Sequence, residues 1–338
     1  MSRTDRLLAD LERGFAALEA GKADAAAAIL ERCRRIDRKH PDVIALAAGV
    51  ADARGDSDEA VTQYGALAAL RPDDPMPRIC LARLELHDRD DPDAALDHLE
   101  AAFDFIDEEA DLVEAIYVKT EALLARGDLE EARAALAELA SSVIDDGDLA
   151  LDLAELALSA EDPAAAVRWT ETARKAAPEL EADALHVLGR AHELAGDRAA
   201  MIAAWQEVRR LDLAAPPGEV HATEDEIERI AAAALAELPQ NIRDHLARVP
   251  ILIDDVPSED IVADGFDPRL LGLFQGTPMP EDGALAPTVT NILLFKRNLE
   301  RFAEDAEHLA EEVRITVLHE TAHYFGLDED DLEALGLD

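Results

Sequence analysis

The stretch Val317–Gly326, near the C-terminus, holds the residues best suited to chemistry. His319 and His323 are four residues apart, so on a helix their imidazoles project from one face. Two imidazoles at this spacing suit a tetrahedral zinc site that keeps a position open for water. Glu320 follows the first histidine and could accept a proton from that water without being a ligand. The sequence therefore predicts Zn²⁺ held by His319 and His323, with Glu320 as the catalytic base.

The chain just beyond the motif predicts a third ligand. Gly326 stands where the helix is expected to end, and glycine adopts the left-handed conformation of a helix C-terminus without strain. In the longer pattern H-E-x-x-H-x-x-G-x-x-H, this glycine turns the chain so that a residue ten positions after the first histidine reaches the metal. That residue is Glu329, the predicted third ligand, with Asp328, Asp330 and Asp331 as acidic alternatives. The competing interpretation is an ordinary amphipathic helix that carries two histidines by coincidence.

Three further residues are candidates for roles near the metal. The sequence does not single out a residue that would stabilise the tetrahedral oxyanion together with the metal. Arg297 and Tyr324 are the two candidates for this role. The competing interpretation is that Arg297 is a cation at the surface or at a helix end, and that Tyr324 is a partly buried ring without a catalytic role. His308 lies 11 residues before His319 on the same helical run, and we expect it to be solvated or to support the ligands without binding the metal.

Composition and charge limit the classes of partner. The chain has 338 residues, enough for two domains, with 49% hydrophobic but only 4% aromatic residues, which favours packed helices. Its formal net charge of −43 repels nucleic acid and anionic lipid, so neither is an expected partner. The acids are spread along the whole chain. They indicate a well-solvated surface or, alternatively, a preference for basic partners or substrates.

The location is expected to be cytoplasmic. No apolar run approaches the roughly 20 residues that cross a bilayer. The N-terminus carries acids where a signal peptide would need an apolar core. Cys33 and Cys80 lie far apart within helical patterns, so they read as small apolar residues and not as a disulfide or a metal cluster.

The first two-thirds of the chain repeat. A turn residue is followed five positions later by a small or apolar residue, at intervals of 34, 35, 37, 34 and 35 residues between turns. The six turn–partner pairs are Gly21 and Ala26, Gly55 and Ala60, Asp90 and Ala95, Gly127 and Ala132, Glu161 and Ala166, and Gly196 and Met201. Each interval holds two amphipathic helical patterns. Such a short pair cannot bury its own apolar face, so neighbouring pairs must stack.

The period and the small residues resemble the tetratricopeptide repeat (TPR). The second unit matches well through Ala48, Gly55, Ala60, Tyr64 and Pro72, and the sixth through Leu188, Gly189 and Trp205. The resemblance implies an α-solenoid of about six helix pairs over residues 1–215, of a kind that binds peptides or proteins. The alternative is that the array only supports or encloses the second domain.

The last third changes character at Pro216-Pro217-Gly218, where we place a domain boundary, so the second domain is 216–338. Thr223 and Glu226 form a capping box that starts a helix. Three β-branched or apolar runs predict strands, followed by a helix carrying Phe302 into the motif and a short helix from Glu329 to Leu335. The predicted strands are Val249–Ile253, Leu270–Gln275 and Ile292–Arg297. The whole chain is thus predicted to be mostly α, with a small α+β domain at its end.

This domain resembles the small bacterial family of zincin-like metallopeptidases. The likeness is carried by residues 271–276, 292–297 and 312–332. It implies a minimal zincin in which a strand beside the motif helix lines a cleft for extended substrate. It also implies zinc at His319 and His323, catalysis through Glu320, and an acidic ligand near Glu329. The family usually has histidine where this chain has Tyr324. The methionine turn of the larger metzincins is absent, since no methionine follows Met279.

Together these features predict a zinc-dependent metallopeptidase of unknown substrate. Its TPR array would recruit a protein or peptide, with a basic substrate as one option. The alternative is a TPR scaffold or adaptor whose zincin domain binds metal, or only packs, without catalysing hydrolysis.

Overall fold

The computed structural model describes residues 2–218, 220–246, 249–276 and 291–325. The chain divides into two compact units, Met1–Ala177 and Pro178–Asp338. The first unit consists of consecutive helical pairs joined by short turns. Its helices are α1 (Arg3–Glu19), α2 (Ala23–Asp37), α3 (Pro41–Asp52), α4 (Ser57–Leu70), α5 (Met76–His87), α6 (Pro92–Phe103), α7 (Glu109–Ala125), α8 (Leu129–Glu138), α9 (Gly147–Ser159) and α10 (Pro163–Ala176). Within the described residues, no helix is long and apolar enough to cross a membrane.

The turns within the pairs lie where the sequence predicted them. All six predicted turn residues have positive φ, from 53° at Asp90 to 78° at Gly127. A left-handed residue ends the first helix of each pair and reverses the chain. Asp90 and Glu161 adopt this conformation at φ 53° and 54° without being glycine. The α-solenoid of stacked pairs is therefore confirmed.

The residue five positions after each turn lies where two helices cross. Ala26, Ala60, Ala95, Ala132 and Ala166 are each 0% exposed. A larger side chain at these positions would hold the helices of a pair apart, which explains the recurrence of alanine in the pattern.

Cys33 is buried and Cys80 half-buried, and neither forms a disulfide.

The second unit begins with one more helical pair and then builds the small sheet. Its elements are α11 (Glu181–Leu194), α12 (Arg198–Ala214), α13 (Glu224–Glu237), α14 (Gln240–Leu246), β1 (Ile251–Asp254), α15 (Glu259–Ala263), β2 (Gly272–Gln275), β3 (Asn291–Phe295), α16 (Lys296–Phe302) and α17 (Ala306–Tyr324). The strand order is β1-β3-β2, with β1 parallel and β2 antiparallel to β3. Its core packs one face of the sheet against α13 and α17 through Ile227, Ile292, Leu294, Val313 and Val317.

The predicted strands and one predicted helix differ from the observed elements at their ends. The strands β1 and β2 begin at Ile251 and Gly272, each two residues later than predicted. The strand predicted over Ile292–Arg297 ends at Phe295, because Lys296 already begins α16. The helix predicted to run from Phe302 into the motif is interrupted, and α17 starts afresh after Asp305. The Asp305 side chain accepts hydrogen bonds from two backbone N–H groups of the first turn, which fixes the new start. The short α15 was not predicted.

Ion pairs to the buried Asp212 and the half-buried Asp267 hold the last helical pair to the rest of the second unit. Asp212 of α12 is 4% exposed, and its carboxylate lies 3.1 Å from Arg269 Nε and 2.6 Å from Arg301 Nη1. Burial raises the pKa of Asp212, but hydrogen bonds from Arg301 and Arg269 outweigh it, so the net shift is downward. His186 of α11 contacts Asp267 at 2.8 Å. The boundary predicted at Pro216 stays a prediction, whereas the compact units divide before Pro178.

Candidate metal centre

Helix α17 brings the two motif histidines together. Val313 and Val317 are fully buried on the face of α17 that packs in the core, which fixes the rotation of the helix. His319 and His323 are half-buried one turn apart, with ring centroids separated by 4.7 Å and planes at 77°. Their Nε2 atoms converge to 3.0 Å. Both imidazoles thus present the same nitrogen to one point beside the helix.

The distance between the two Nε2 atoms is close to the distance that a shared zinc ion requires. Two nitrogens at ~2.05 Å from Zn²⁺ with a tetrahedral angle between them would lie ~3.3 Å apart. The observed 3.0 Å differs by a few tenths of an ångström, so a small opening of the rings would accommodate the ion. The residues present therefore fit zinc. Among the described residues, no group of three or more potential ligands forms a site.

The third ligand stays a prediction. Glu329, its alternatives Asp328, Asp330 and Asp331, and the turn residue Gly326 all lie outside the described residues.

Glu320 is held by the backbone of the neighbouring strand. Its side chain is buried at 8% exposure, and the Phe274 N–H of β2 donates a hydrogen bond of 2.6 Å to Oε2. The Phe295 N–H donates a hydrogen bond to the Leu271 carbonyl, so Leu271, immediately before β2, is a residue that bonds to β3. In an antiparallel pair every second residue bonds to the neighbouring strand, and the residues between them point their backbone groups the other way. Phe274 consequently turns its N–H away from β3, toward α17. The carboxylate predicted to act as a base is thus oriented by a donor 46 residues away in sequence.

Gly272 allows β2 to lie against α17. A Cβ added there would lie 2.5 Å from Thr316 Cγ2, 3.1 Å from Glu320 Cγ and 3.2 Å from the Leu293 carbonyl oxygen. Only a residue without a side chain permits this approach. Sequence reasoning assigned no role to Gly272 or Phe274, although a glycine within a strand can indicate close backbone contact.

A largely apolar cavity of about 310 Å³ opens beside His319. Leu270, Leu271 and Ile315 line it together with His319 and Glu320. The pocket places apolar walls next to the two groups that would bind metal and move a proton. It is large enough for one substrate side chain.

Arg297 and His308, two further sequence candidates, have their contacts away from the histidine pair. Arg297 donates hydrogen bonds to the carbonyls of Leu213 at 2.8 Å and Ala215 at 2.5 Å, so its guanidinium holds the chain after α12. His308 lies 3.2 Å from Glu312 and about 16 Å along α17 from His319. The Tyr324 side chain is outside the described residues.

Comparison with known proteins identifies both parts of the chain. Residues 246–337 match the family model described as zincin-like metallopeptidase, and residues 17–84 match a tetratricopeptide repeat model. No curated protein matched the chain.

Solved structures resemble the helical part. PilW, a type IV pilus biogenesis factor, is 15% identical with a TM-score of 0.51 over 60% of this chain and 92% of its own. A thermophilic TPR protein of Thermus thermophilus is 20% identical, with a TM-score of 0.45 over 54% of this chain and 98% of its own. At such identities the likeness to PilW concerns the fold alone. The chain thus carries tetratricopeptide repeats followed by a C-terminal domain of the zincin-like metallopeptidase family.

Proposed function

We propose that this protein is a zinc-dependent metallopeptidase that recruits a protein substrate or partner through its repeat array. One observation carries the proposal: the Nε2 atoms of His319 and His323 converge to 3.0 Å beside a carboxylate, Glu320, that is buried and oriented. A chance pair of surface histidines would not require the adjacent carboxylate to be fixed by a strand.

The residues divide the chemistry among themselves. His319 and His323 would hold the ion through Nε2, and a third ligand would come from the segment containing Glu329. Bound zinc would supply Lewis acidity, which brings the pKa of a coordinated water toward neutrality and polarises the carbonyl under attack. Glu320 would take the proton from the water and pass it to the leaving amine. The Phe274 N–H would keep the carboxylate aimed during both transfers.

The strand beside the helix offers a place for the substrate backbone. In the described part of the sheet, β2 is an edge strand. The Phe274 N–H is taken by Glu320, but the Gly272 N–H and the carbonyls of Gly272 and Phe274 also face away from β3. An extended peptide could add to that edge, with one side chain in the apolar cavity next to His319. This arrangement supports peptide hydrolysis over hydrolysis of a small, compact substrate.

Metal analysis and a peptide digest test the proposal. The purified 338-residue chain is expected to carry about one zinc. His319→Ala should lose most of it, while the control His308→Ala, a histidine of the same helix, should keep it. Glu320→Gln should retain zinc and lose hydrolysis by about 10²-fold or more.

Two outcomes would count against the proposal in different ways. Full zinc retention in His319→Ala would remove the metal site. Bound zinc without any chelator-sensitive cleavage across a broad peptide library would favour the alternative, an adaptor whose zincin-like domain binds metal without catalysis. That alternative draws support from Arg297, whose guanidinium is already committed to two backbone carbonyls and not to an oxyanion.

A further inference from the structure

A groove in the first unit lies where α7 meets α9 and the loop 142–146. Its volume is about 590 Å³, and apolar side chains form its floor. Val113 is buried at 5% exposure, whereas Val143, on the loop, is 79% exposed. Tyr117 and Leu149 extend the floor along the two helices. A largely exposed valine beside a concave apolar surface is a feature that a bound side chain would cover.

The rim of this groove is acidic. Five carboxylates line it, and no lysine or arginine does: Glu109, Glu114, Asp145, Asp146 and Asp152. Three of them have partners, since Glu109 accepts from Val143 N–H, Asp146 from Leu149 N–H, and Glu114 lies 3.9 Å from Arg83. Asp145 and Asp152 form no ion pair with any described residue. The rim therefore has negative charge that its own surroundings leave uncompensated.

The pKa values of two groups in the groove are raised, in part by its carboxylates. Burial raises the pKa of Asp152, and the neighbouring Asp148, Asp146 and Glu155 raise it further. Burial, with Glu121 and Asp152, raises the pKa of Tyr117 to about 12. Burial, the larger cause of both shifts, disfavours a charge of either sign, whereas the contribution of the neighbouring carboxylates reflects a negative potential in the groove. A cation placed there would interact at a lower effective dielectric than in bulk water.

We propose that this groove binds an extended basic segment of a partner protein, with an apolar side chain over Val113 and Val143 and flanking lysines or arginines at Asp145 and Asp152. Charge complementarity selects the occupant. A second copy of a chain with net charge −43 would be repelled, and a bare divalent cation would leave the apolar floor uncovered. This inference rests on the recruitment proposed for the repeat array, and it stands whether or not the metal centre is active.

The test measures binding in the 338-residue Glu320→Gln chain, which removes hydrolysis from the readout. The probe is a short fluorescein-labelled peptide with lysines and arginines around a central leucine, and a second probe has serine in place of leucine. The groove variant is Asp145→Asn with Asp152→Asn. The matched control is Asp97→Asn with Glu100→Gln, which removes the same charge from exposed positions on α6.

The groove variant is expected to weaken the leucine probe about tenfold, and the control less than about twofold. Val143→Ser is expected to weaken the leucine probe about threefold and to leave the serine probe unchanged. Val143 is exposed, so this substitution does not threaten the fold.

Three results would overturn the inference. Equal weakening by the groove variant and the control would show that the probe senses only the overall charge. Stoichiometric binding of Ca²⁺ or Mg²⁺ that the groove variant abolishes would assign the carboxylates to a cation. A dimer in sedimentation experiments that the groove variant dissociates would assign the surface to a second copy.

Discussion

The close approach of β2 to α17 can be tested by adding one carbon atom. In Gly272→Ala, the new Cβ would lie 2.5 Å from Thr316 Cγ2, well inside ordinary carbon–carbon contact. The other near atoms, Glu320 Cγ at 3.1 Å and the Leu293 carbonyl oxygen at 3.2 Å, stand on two further sides. Strand and helix must therefore separate, or Thr316 must move within a buried interface, where it is only 6% exposed.

The size of the effect follows from this geometry. Overpacking a buried contact costs about 1–3 kcal/mol of unfolding free energy. A separation of ~1 Å would also draw the Phe274 N–H away from the Glu320 carboxylate, and misplacement on that scale can lower turnover about 10²-fold. Zinc binding should change little, because both histidines lie on α17 itself.

Tryptophan fluorescence allows the stability of the second unit to be followed alone. The chain has two tryptophans, and Trp205, buried at 2% exposure, belongs to the second unit. In a Trp169→Phe background, guanidinium unfolding monitored through Trp205 reports that unit. Gly218→Ala is the matched control, because a Cβ there meets no atom within 4 Å, and we expect a change of about 0.5 kcal/mol or less.

A second substitution should relieve the clash. Thr316→Ser removes the Cγ2 atom that the new methyl group meets, so Gly272→Ala with Thr316→Ser should recover at least half of the lost stability and part of the turnover. The reasoning fails if Gly272→Ala unfolds at the same denaturant concentration as its parent. It fails equally if Thr316→Ser restores nothing.

Four further predictions concern the framework. Asp212→Asn should cost about 3 kcal/mol, because it removes the carboxylate that pairs with two arginines in a buried site, whereas Glu207→Gln, an exposed pair on the same helix, should leave stability unchanged. The pKa of Asp212 in the folded chain is below its usual 3.8, so its contribution to the unfolding free energy is complete above about pH 5 and is lost as pH falls through the lowered pKa. In urea titrations between about pH 3 and 6, the unfolding free energy of Asp212→Asn should therefore decline less steeply with falling pH than that of the parent chain. Asp90→Gly should raise the unfolding free energy by about 0.5–1 kcal/mol in calorimetry, because glycine removes the strain of a side chain at φ 53°. A fragment 178–338 should unfold cooperatively in circular dichroism and a fragment 216–338 should not, and equal cooperativity would contradict the role given to the last helical pair.

The repeat could be predicted because its determinants are local. A left-handed turn residue and a buried small residue five positions later recur at every unit, and both requirements are visible in the sequence. Even where glycine is replaced, at Asp90 and Glu161, the spacing located the turn. The histidine pair was predictable for the same reason, since residues four apart on a helix share a face whatever packs around them.

The environment of Glu320 could not be predicted in this way. Its partner is a backbone N–H, which every residue except proline carries, so the identity of Phe274 gives no hint of the contact. The strand that presents this donor is 46 residues away, and its register depends on the pairing of β2 with β3. The interruption before α17 was missed because the apolar spacing runs across it, while Asp305 decides where the helix begins.

The second unit links the last repeat to Glu320, the proposed base, through a short segment. Residues 267–270 lead directly into β2, and Asp267 and Arg269 in this segment contact His186 and Asp212 of the last helical pair. Asn298 holds the same segment from the other side, through hydrogen bonds of 2.9 and 2.7 Å to the carbonyls of residues 268 and 270. Because Gly272 follows within two residues, the placement of β2 against Glu320 depends on contacts that α11 and α12 provide. The sixth helical pair therefore continues the repeat pattern in sequence while it positions the strand that orients the proposed base.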